Sequence, residues 1–314
     1  MLLLDKKITE ELYDITILGG GVAGLAAAIT AGQIGLRILV LEKAVFGGTV
    51  AVLESVSGYP GIEQIGGWEL TQTMVKQAGF LGCHLFDSIE VSSVRKSEKH
   101  KFEIECSDGN RFISQSVIIT TGGQPRLLGL ADEARFAQHG IHTCAQCSGA
   151  RYKEKAIVIA GNGSLAVEAA YHLLNLGCRV TFITGDAEMS GNVHLIDKVL
   201  NHQEFQFMAG CHVEKLSGGE YLEEIEVVDL MTSEIKCLET SAVFVYRGIV
   251  PDIRITAAQQ DTKGFFLVDE NFMTSLPGLF ATGRVVFADL PVHVLVGDGS
   301  RTALAAADWL QTAG

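Results

Sequence analysis

Cations are scarce in this chain. Lysine and arginine number 24 against 37 aspartates and glutamates, a formal net charge of −13. Neutralising the phosphates of a nucleic acid needs clustered Lys and Arg, so no nucleic-acid partner is expected. A strongly acidic partner would also need a local basic patch to dock. Long unbroken apolar runs are missing too. The most apolar stretch, Ile15 to Ala31, is interrupted by Gly19, Gly20, Gly21 and Gly24, a cluster that a membrane helix does not normally carry. The first ten residues, MLLLDKKITE, have neither the apolar core nor the cleavage site of a signal peptide. No stretch has the composition of a disordered or low-complexity segment. The expectation is a cytoplasmic protein with no membrane segment. At 314 residues and 47% hydrophobic it has the length of two domains and the apolar content to bury a core in each.

A pairing pattern is also absent from five of the seven cysteines: Cys83, Cys106, Cys178, Cys211 and Cys237. These read as reduced, structural thiols of a cytosolic chain. Cys144 and Cys147 differ, because only two residues separate them. A structural zinc site would need two more ligands at suitable spacing, and the sequence holds no second CxxC or CxxH; no metal site is expected. Two unrelated buried thiols are a second reading. The favoured one is a redox disulfide, a small reducible ring in which one thiol of lowered pKa supplies a reactive thiolate.

The chain holds one unit twice. Tyr13–Leu18 reads as a strand, Gly19 to Gly24 as a glycine turn, Leu25–Ile34 as a helix closed by Gly35, and Arg37–Leu41 as a second strand ending on Glu42. This is the dinucleotide-binding fingerprint with its acid about 20 residues on. Gly19 permits the tight turn, Gly21 lets the backbone approach a pyrophosphate, and Gly24 lets helix and strand pack closely. The helix start offers free N–H groups to phosphate, and Glu42 can accept ribose hydroxyls. The second copy is Lys155–Ala160, the turn Gly161 to Ala166, the helix Val167–Leu176, Gly177 and Arg179–Ile183. Gly19 and Gly161 lie 142 positions apart, as do Gly35 and Gly177. Two Rossmann-like dinucleotide-binding domains are therefore expected in an α/β chain. At the same offset Glu42 faces Thr184, so the second copy lacks the ribose acid. It also lacks a cation for a 2′-phosphate, since no Lys or Arg occurs from Thr184 through Asp197, where Asp186 and Glu188 would repel one.

These motifs, in this order, resemble those of the bacterial-type, low-molecular-weight thioredoxin reductases over nearly the whole length. They include the turn at 19–24, Gly47-Gly48, Tyr59-Pro60-Gly61, Thr120-Thr121-Gly122 and the CxxC just ahead of the second glycine turn. Further on come Phe244 to Pro251, Leu279 to Gly283 and Gly297-Asp298-Gly299. The resemblance implies FAD as cofactor, held at Gly19, Gly21, Gly24, Glu42, Gly47, Gly48, Thr121, Gly122, Gly283 and Arg284. It implies an FAD domain made of residues 1–118 and 246–314, with the second domain, 119–245, inserted into it. It also implies a homodimer, and a thioredoxin-like protein disulfide as partner. In such enzymes the second cysteine faces the flavin and the first attacks the partner, roles that fall to Cys147 and Cys144.

The sequence departs from that pattern in places that bear on electron supply. The family's His-Arg-Arg, which clamps the 2′-phosphate of NADPH, reads Thr184-Gly185-Asp186. Each lost charge-assisted contact is worth roughly 1.5–3 kcal/mol, so NADPH is disfavoured. The acid after CxxC is Ser148, which leaves the proton source open, with His142 either a candidate by proximity or an ordinary packing or surface histidine. The late Gly-Asp is Gly283-Arg284. The Arg-Gln pair near the flavin is missing, the segment reads Asp289-Leu290-Pro291-Val292, and an expected Asn is Gly58. The chain is thus similar to the branch that takes electrons from ferredoxin or through a second flavin. An NADH-linked reductase of the same fold, with Asp186 on the ribose, is one alternative. A non-catalytic flavin sensor or binding module is another.

Overall fold

The computed structural model describes residues 11–97, 101–251, 255–288 and 290–313. The readings placed on residues 1–10 and on Asp289 fall outside them. The chain divides into two compact units, Met1–Gln124 with Val250–Gly314, and Pro125–Ile249. The divisions follow the strands Arg111–Ile119 and Val243–Tyr246 by a few residues, later than the expected 118/119 and 245/246.

In the first unit the strands His84–Phe86, Ile38–Leu41, Leu12–Leu18, Arg111–Ile119 and Leu279–Ala281 lie side by side in parallel. Phe102–Cys106 and Val91–Lys96 extend the sheet antiparallel. Ile38–Leu41, Leu279–Ala281 and the last residues of Arg111–Ile119 are continuous buried apolar runs, as strands covered on both faces are. Ile15, Ile17 and Val40 pack on one face with Leu25 and Ala303. Leu18, Leu39 and Leu41 pack on the other with Phe102 and Phe112. The helices Val22–Gln33 and Val292–Ala313 meet closely, since a Cβ at Gly299 would lie 2.1 Å from the Ala23 carbonyl.

The second unit repeats the core topology. Its parallel strands run in the order Ile141–His142, Val243–Tyr246, Ala156–Gly161, Arg179–Ile183 and Phe205–Met208. A separate antiparallel sheet is formed by Cys211–Gly218, Leu222–Asp229 and Ile235–Glu239. The two glycine-turn units of the α/β reading are both present. Gly35 and Gly177 end their helices at φ +79 and +78, the left-handed conformation that glycine adopts without a Cβ penalty.

The helices begin three residues earlier than the periodicity indicates, at Val22 and Ser164. The apolar pattern becomes regular only after the third glycine or its equivalent, but the helical backbone starts inside the turn. Gly24 is therefore a helical residue. A Cβ there would lie 2.0 Å from the Gly19 carbonyl.

Candidate active site

In the first unit the glycine turn is built by close backbone approach. A Cβ at Gly19 would lie 2.4 Å from the Thr120 carbonyl, in a residue already at φ +103. Thr120, which the sequence reading did not place in the site, donates its hydroxyl to the Gly19 carbonyl at 2.7 Å and so closes the turn against the next strand end. Gly21 is the N-cap of the helix, and a Cβ there would meet nothing within 4 Å. Open space in front of a helix start is what a pyrophosphate requires.

Glu42 is nearly buried at 9% exposure. Its carboxylate accepts the Gly20 N–H at 2.7 Å and the Ala44 N–H at 2.9 Å. Each oxygen keeps a lone pair for a ribose hydroxyl. A small cavity of about 60 Å³ adjoins it, lined by Gly19, Leu41, Glu42, Val91 and Thr121 among others. Gly47 donates its N–H to the Gly20 carbonyl at 2.8 Å. Gly48 stands over Gly21, where a Cβ would lie 3.3 Å from the Gly21 Cα. Gly122 takes φ +69 just past the Thr120 turn. Gly283 takes φ +73 beside Ala23, and Arg284 follows, half-buried, in a single 3-10 turn. Gly19, Gly21, Gly24, Glu42, Gly47, Gly48, Thr121 and Gly283 thus gather around one turn, with Gly122 and Arg284 next to them in the chain, and the open helix start and adjoining acid fit a dinucleotide. Gly58, where the resemblance led to an expected Asn, takes φ +73, a conformation that glycine and, less often, Asn adopt routinely.

In the second unit Cys144 and Cys147 are joined as a disulfide. Cys144 caps the short helix Ala145–Ser148 in an extended conformation, and its Sγ accepts the Cys147 N–H at 3.1 Å. The same bond would stabilise a Cys144 thiolate after reduction. Both sulfur-bearing residues are half-buried, whereas Ser148 is buried. The Tyr246 hydroxyl accepts the Ala145 N–H at 2.9 Å, a contact that no spacing rule signals. His142 is 3% exposed, its Nε2 pairs with the Tyr152 hydroxyl at 2.7 Å, and its ring stacks on Phe244. Burial, reinforced by the Arg151 charge, lowers its pKa to about 4. It is a neutral packing residue at pH 7. Of the other cysteines, Cys83, Cys106, Cys178 and Cys211 are buried and Cys237 is exposed. Burial raises the thiols of Cys83 and Cys106 to about 11 and 12, far from a thiolate.

The second glycine turn faces its own chain. Asn162 donates from Nδ2 to Asp186 Oδ2 at 2.7 Å and to the Glu188 carbonyl at 3.0 Å. Its Oδ1 accepts the N–H groups of Gly163 and Ser190, both at 2.9 Å. A Cβ at Gly191 would lie 3.0 Å from the Cα of Ser164, the first helical residue. Thr184 is buried, and its hydroxyl accepts the Asp186 N–H at 3.2 Å. Residues 186–191 are therefore tied across the turn, and they bring two carboxylates and no cation.

Two glycine-turn α/β units in one chain, the second carrying a redox-capable disulfide just ahead of its turn, define a two-domain disulfide oxidoreductase. The model of the pyridine nucleotide-disulphide oxidoreductases matches residues 13–308. The chain belongs to this family, and is accordingly an enzyme of the flavin-dependent disulfide oxidoreductase type. It is 31% identical over 310 residues to the thioredoxin reductase of Ureaplasma parvum, covering 96% of this chain and 98% of that one. Among solved structures it is similar to Lactococcus lactis thioredoxin reductase, with a TM-score of 0.84, 26% identity and coverage of 96% and 99%. Thioredoxin reductase of T. acidophilum gives a TM-score of 0.83, 28% identity and coverage of 97% and 100%.

Proposed function

We propose that this enzyme passes two electrons from FAD through Cys147 and Cys144 to a thioredoxin-like protein disulfide, and that its electron donor is not NADPH. The carrying observation is the state of the second glycine turn. Asn162 spends its hydrogen-bonding groups on residues 163 and 186–190, and the segment that follows the second strand offers Asp186 and Glu188 where a 2′-phosphate would need cations. The redox pair beside it is complete.

FAD would be held by Gly19, Gly21, Gly24, Glu42, Gly47, Gly48, Thr121, Gly122, Gly283 and Arg284, and supplies two-electron chemistry when bound. The chain's own steps are thiol chemistry. Reduction breaks the Cys144–Cys147 bond, with Cys147 the sulfur that exchanges electrons with the flavin. The Cys144 thiolate attacks one sulfur of the partner disulfide, which releases the other partner sulfur as a thiolate and leaves a mixed disulfide. Cys147 then attacks Cys144, re-forming the internal bond and releasing the second partner thiolate. Two protons complete the partner dithiol. The working form is a cytoplasmic homodimer, and the donor is reduced ferredoxin or a second flavin.

NADH is the second reading, favoured by the position of Asp186, which reaches the glycine turn through Asn162. The deciding experiment measures flavin per chain and then follows anaerobic flavin bleaching by NADPH, NADH and reduced ferredoxin. Bleaching by ferredoxin and not by NADPH is expected. Rapid bleaching by NADPH would sink the proposal, and bleaching by NADH alone would select the second reading.

A further inference from the structure

Tyr246 ends the strand Val243–Tyr246 in register with Gly161. Its carbonyl accepts the Asn162 N–H at 3.1 Å. A Cβ at Gly161 would lie 1.9 Å from that carbonyl, so the strand end closes on the second glycine turn only because residue 161 has no side chain. The backbone of Tyr246 is thereby fixed. Its phenol reaches the redox turn, where the oxygen accepts the Ala145 N–H at 2.9 Å.

That amide needs a partner. Ala145 is the first residue of the short helix and is 1% exposed. A first-turn N–H has no helical carbonyl to serve it, and this one is closed off from water. The peptide in question joins Cys144 to Ala145, so whatever holds the amide also holds the point at which Cys144 enters the turn. Burial raises the phenol to about 12, which keeps it neutral and able to accept at any working pH.

We propose that Tyr246 is a positioning residue of the redox turn, whose hydroxyl holds the Cys144–Ala145 peptide in the conformation of the closed disulfide and so favours the disulfide over the dithiol. The proposal rests on the reading of Cys144 and Cys147 as the redox centre. The couple it tunes is balanced by two electrons and two protons. Reduction breaks the S–S bond and leaves two thiols, and the electrons come from the flavin and leave to the partner disulfide. The closed ring holds the two Cα atoms at 5.4 Å and keeps the intervening peptides in one turn. The dithiol imposes no such closure. An amide that loses its acceptor therefore penalises the closed form more than the open one.

Tyr246→Phe removes the acceptor and keeps the ring that packs against the second unit's core. The test equilibrates the full-length, FAD-loaded protein in dithiothreitol redox buffers, alkylates the thiols, and counts modified chains by mass. Wild-type flavin content and a single cooperative melting transition establish that the variant is folded. Tyr171→Phe, which removes a hydroxyl from the helix Ser164–Asn175 of the same unit, is the control. The expected result is a shift of about tenfold toward dithiol in Tyr246→Phe, equivalent to a midpoint about 30 mV less negative, with Tyr171→Phe at the wild-type value. An unchanged or more negative midpoint in Tyr246→Phe overturns the proposal. A wild-type chain whose pair shows no reversible two-electron couple overturns both this proposal and the redox reading beneath it.

Discussion

The Asn162 amide and the Asp186 carboxylate meet at 2.7 Å across the second glycine turn. The pairing puts a negative charge at the mouth of the turn and ties the following residues over the helix start. A 2′-phosphate brought there meets Asp186 and Glu188 and finds no cation between Thr184 and Asp197.

Restoring the cations should therefore restore NADPH binding. In a chain carrying Thr184→His, Gly185→Arg and Asp186→Arg, each new charge-assisted contact is worth roughly 1.5–3 kcal/mol. Asp186→Arg also releases the Asn162 bond. NADPH affinity, read by titration of flavin or tryptophan fluorescence, should rise at least about tenfold per productive contact. Equal NADPH affinity in variant and parent would show that the residues at 184–186 do not govern donor choice.

Gly21 and Gly24 should behave in opposite ways. A Cβ at Gly21 meets open space, and the residue has an ordinary φ of −72. Gly21→Ala should leave the melting temperature within about a degree while flavin per chain falls, because the methyl occupies the space that a pyrophosphate needs. A Cβ at Gly24 would lie 2.0 Å from the Gly19 carbonyl and 2.6 Å from Thr120 Oγ1. Gly24→Ala should cost stability first, about 1–3 kcal/mol as an overpacked core does. Urea unfolding of the apoprotein, beside the absorbance ratio of the holoprotein, separates the two effects.

The contrast between those glycines marks how far the sequence could be read. Gly19 and Gly24 are legible because a tight turn and a close helix contact each demand glycine at one spacing, and Glu42 is legible as the acid at the end of the second strand of that unit. The doubled unit is legible for the same reason, and so are Gly35 and Gly177. Thr120 and Tyr246 were not, because each acts through a single hydroxyl placed by strands far away in sequence. Asn162 was visible as a turn residue, but its bonds depend on how residues 186–190 fold back, which no periodicity encodes. His142 could be named beside the cysteines. Its burial against Tyr152 and Phe244 comes from tertiary packing, and that packing makes it neutral.

The two cysteines should part company in trapping experiments. With Cys144 as attacking thiol, Cys147→Ser should accumulate a mixed disulfide, visible on a non-reducing gel, with a thioredoxin reduced to one active-site cysteine and activated as its thionitrobenzoate disulfide, since the released thionitrobenzoate leaves and no neighbouring thiol reverses the exchange. Cys144→Ser should not, and turnover by the photoreduced enzyme should drop by more than about a thousandfold in both, since neither can complete the exchange. Trapping by Cys144→Ser instead would reverse the assigned roles. Full turnover in either variant would remove the pair from the reaction.

His142 also makes stability depend on pH in a predictable direction. In the unfolded chain its pKa is near 6.5, whereas in the folded chain burial, aided by Arg151, holds it at about 4. Between those values the unfolded state binds the proton and the folded state does not, so acidification favours unfolding. The contribution is fully present above pH 6.5 and is lost as the pH falls toward 4, about 2 kcal/mol of it by pH 5. Phe can occupy the stack against Phe244 without a titrating group, so His142→Phe should flatten this dependence, although it leaves the Tyr152 hydroxyl in need of a new partner. Urea midpoints at pH 7 and pH 5 for both chains measure the difference. An equal loss in both would mean that the proton taken up on unfolding belongs to another group.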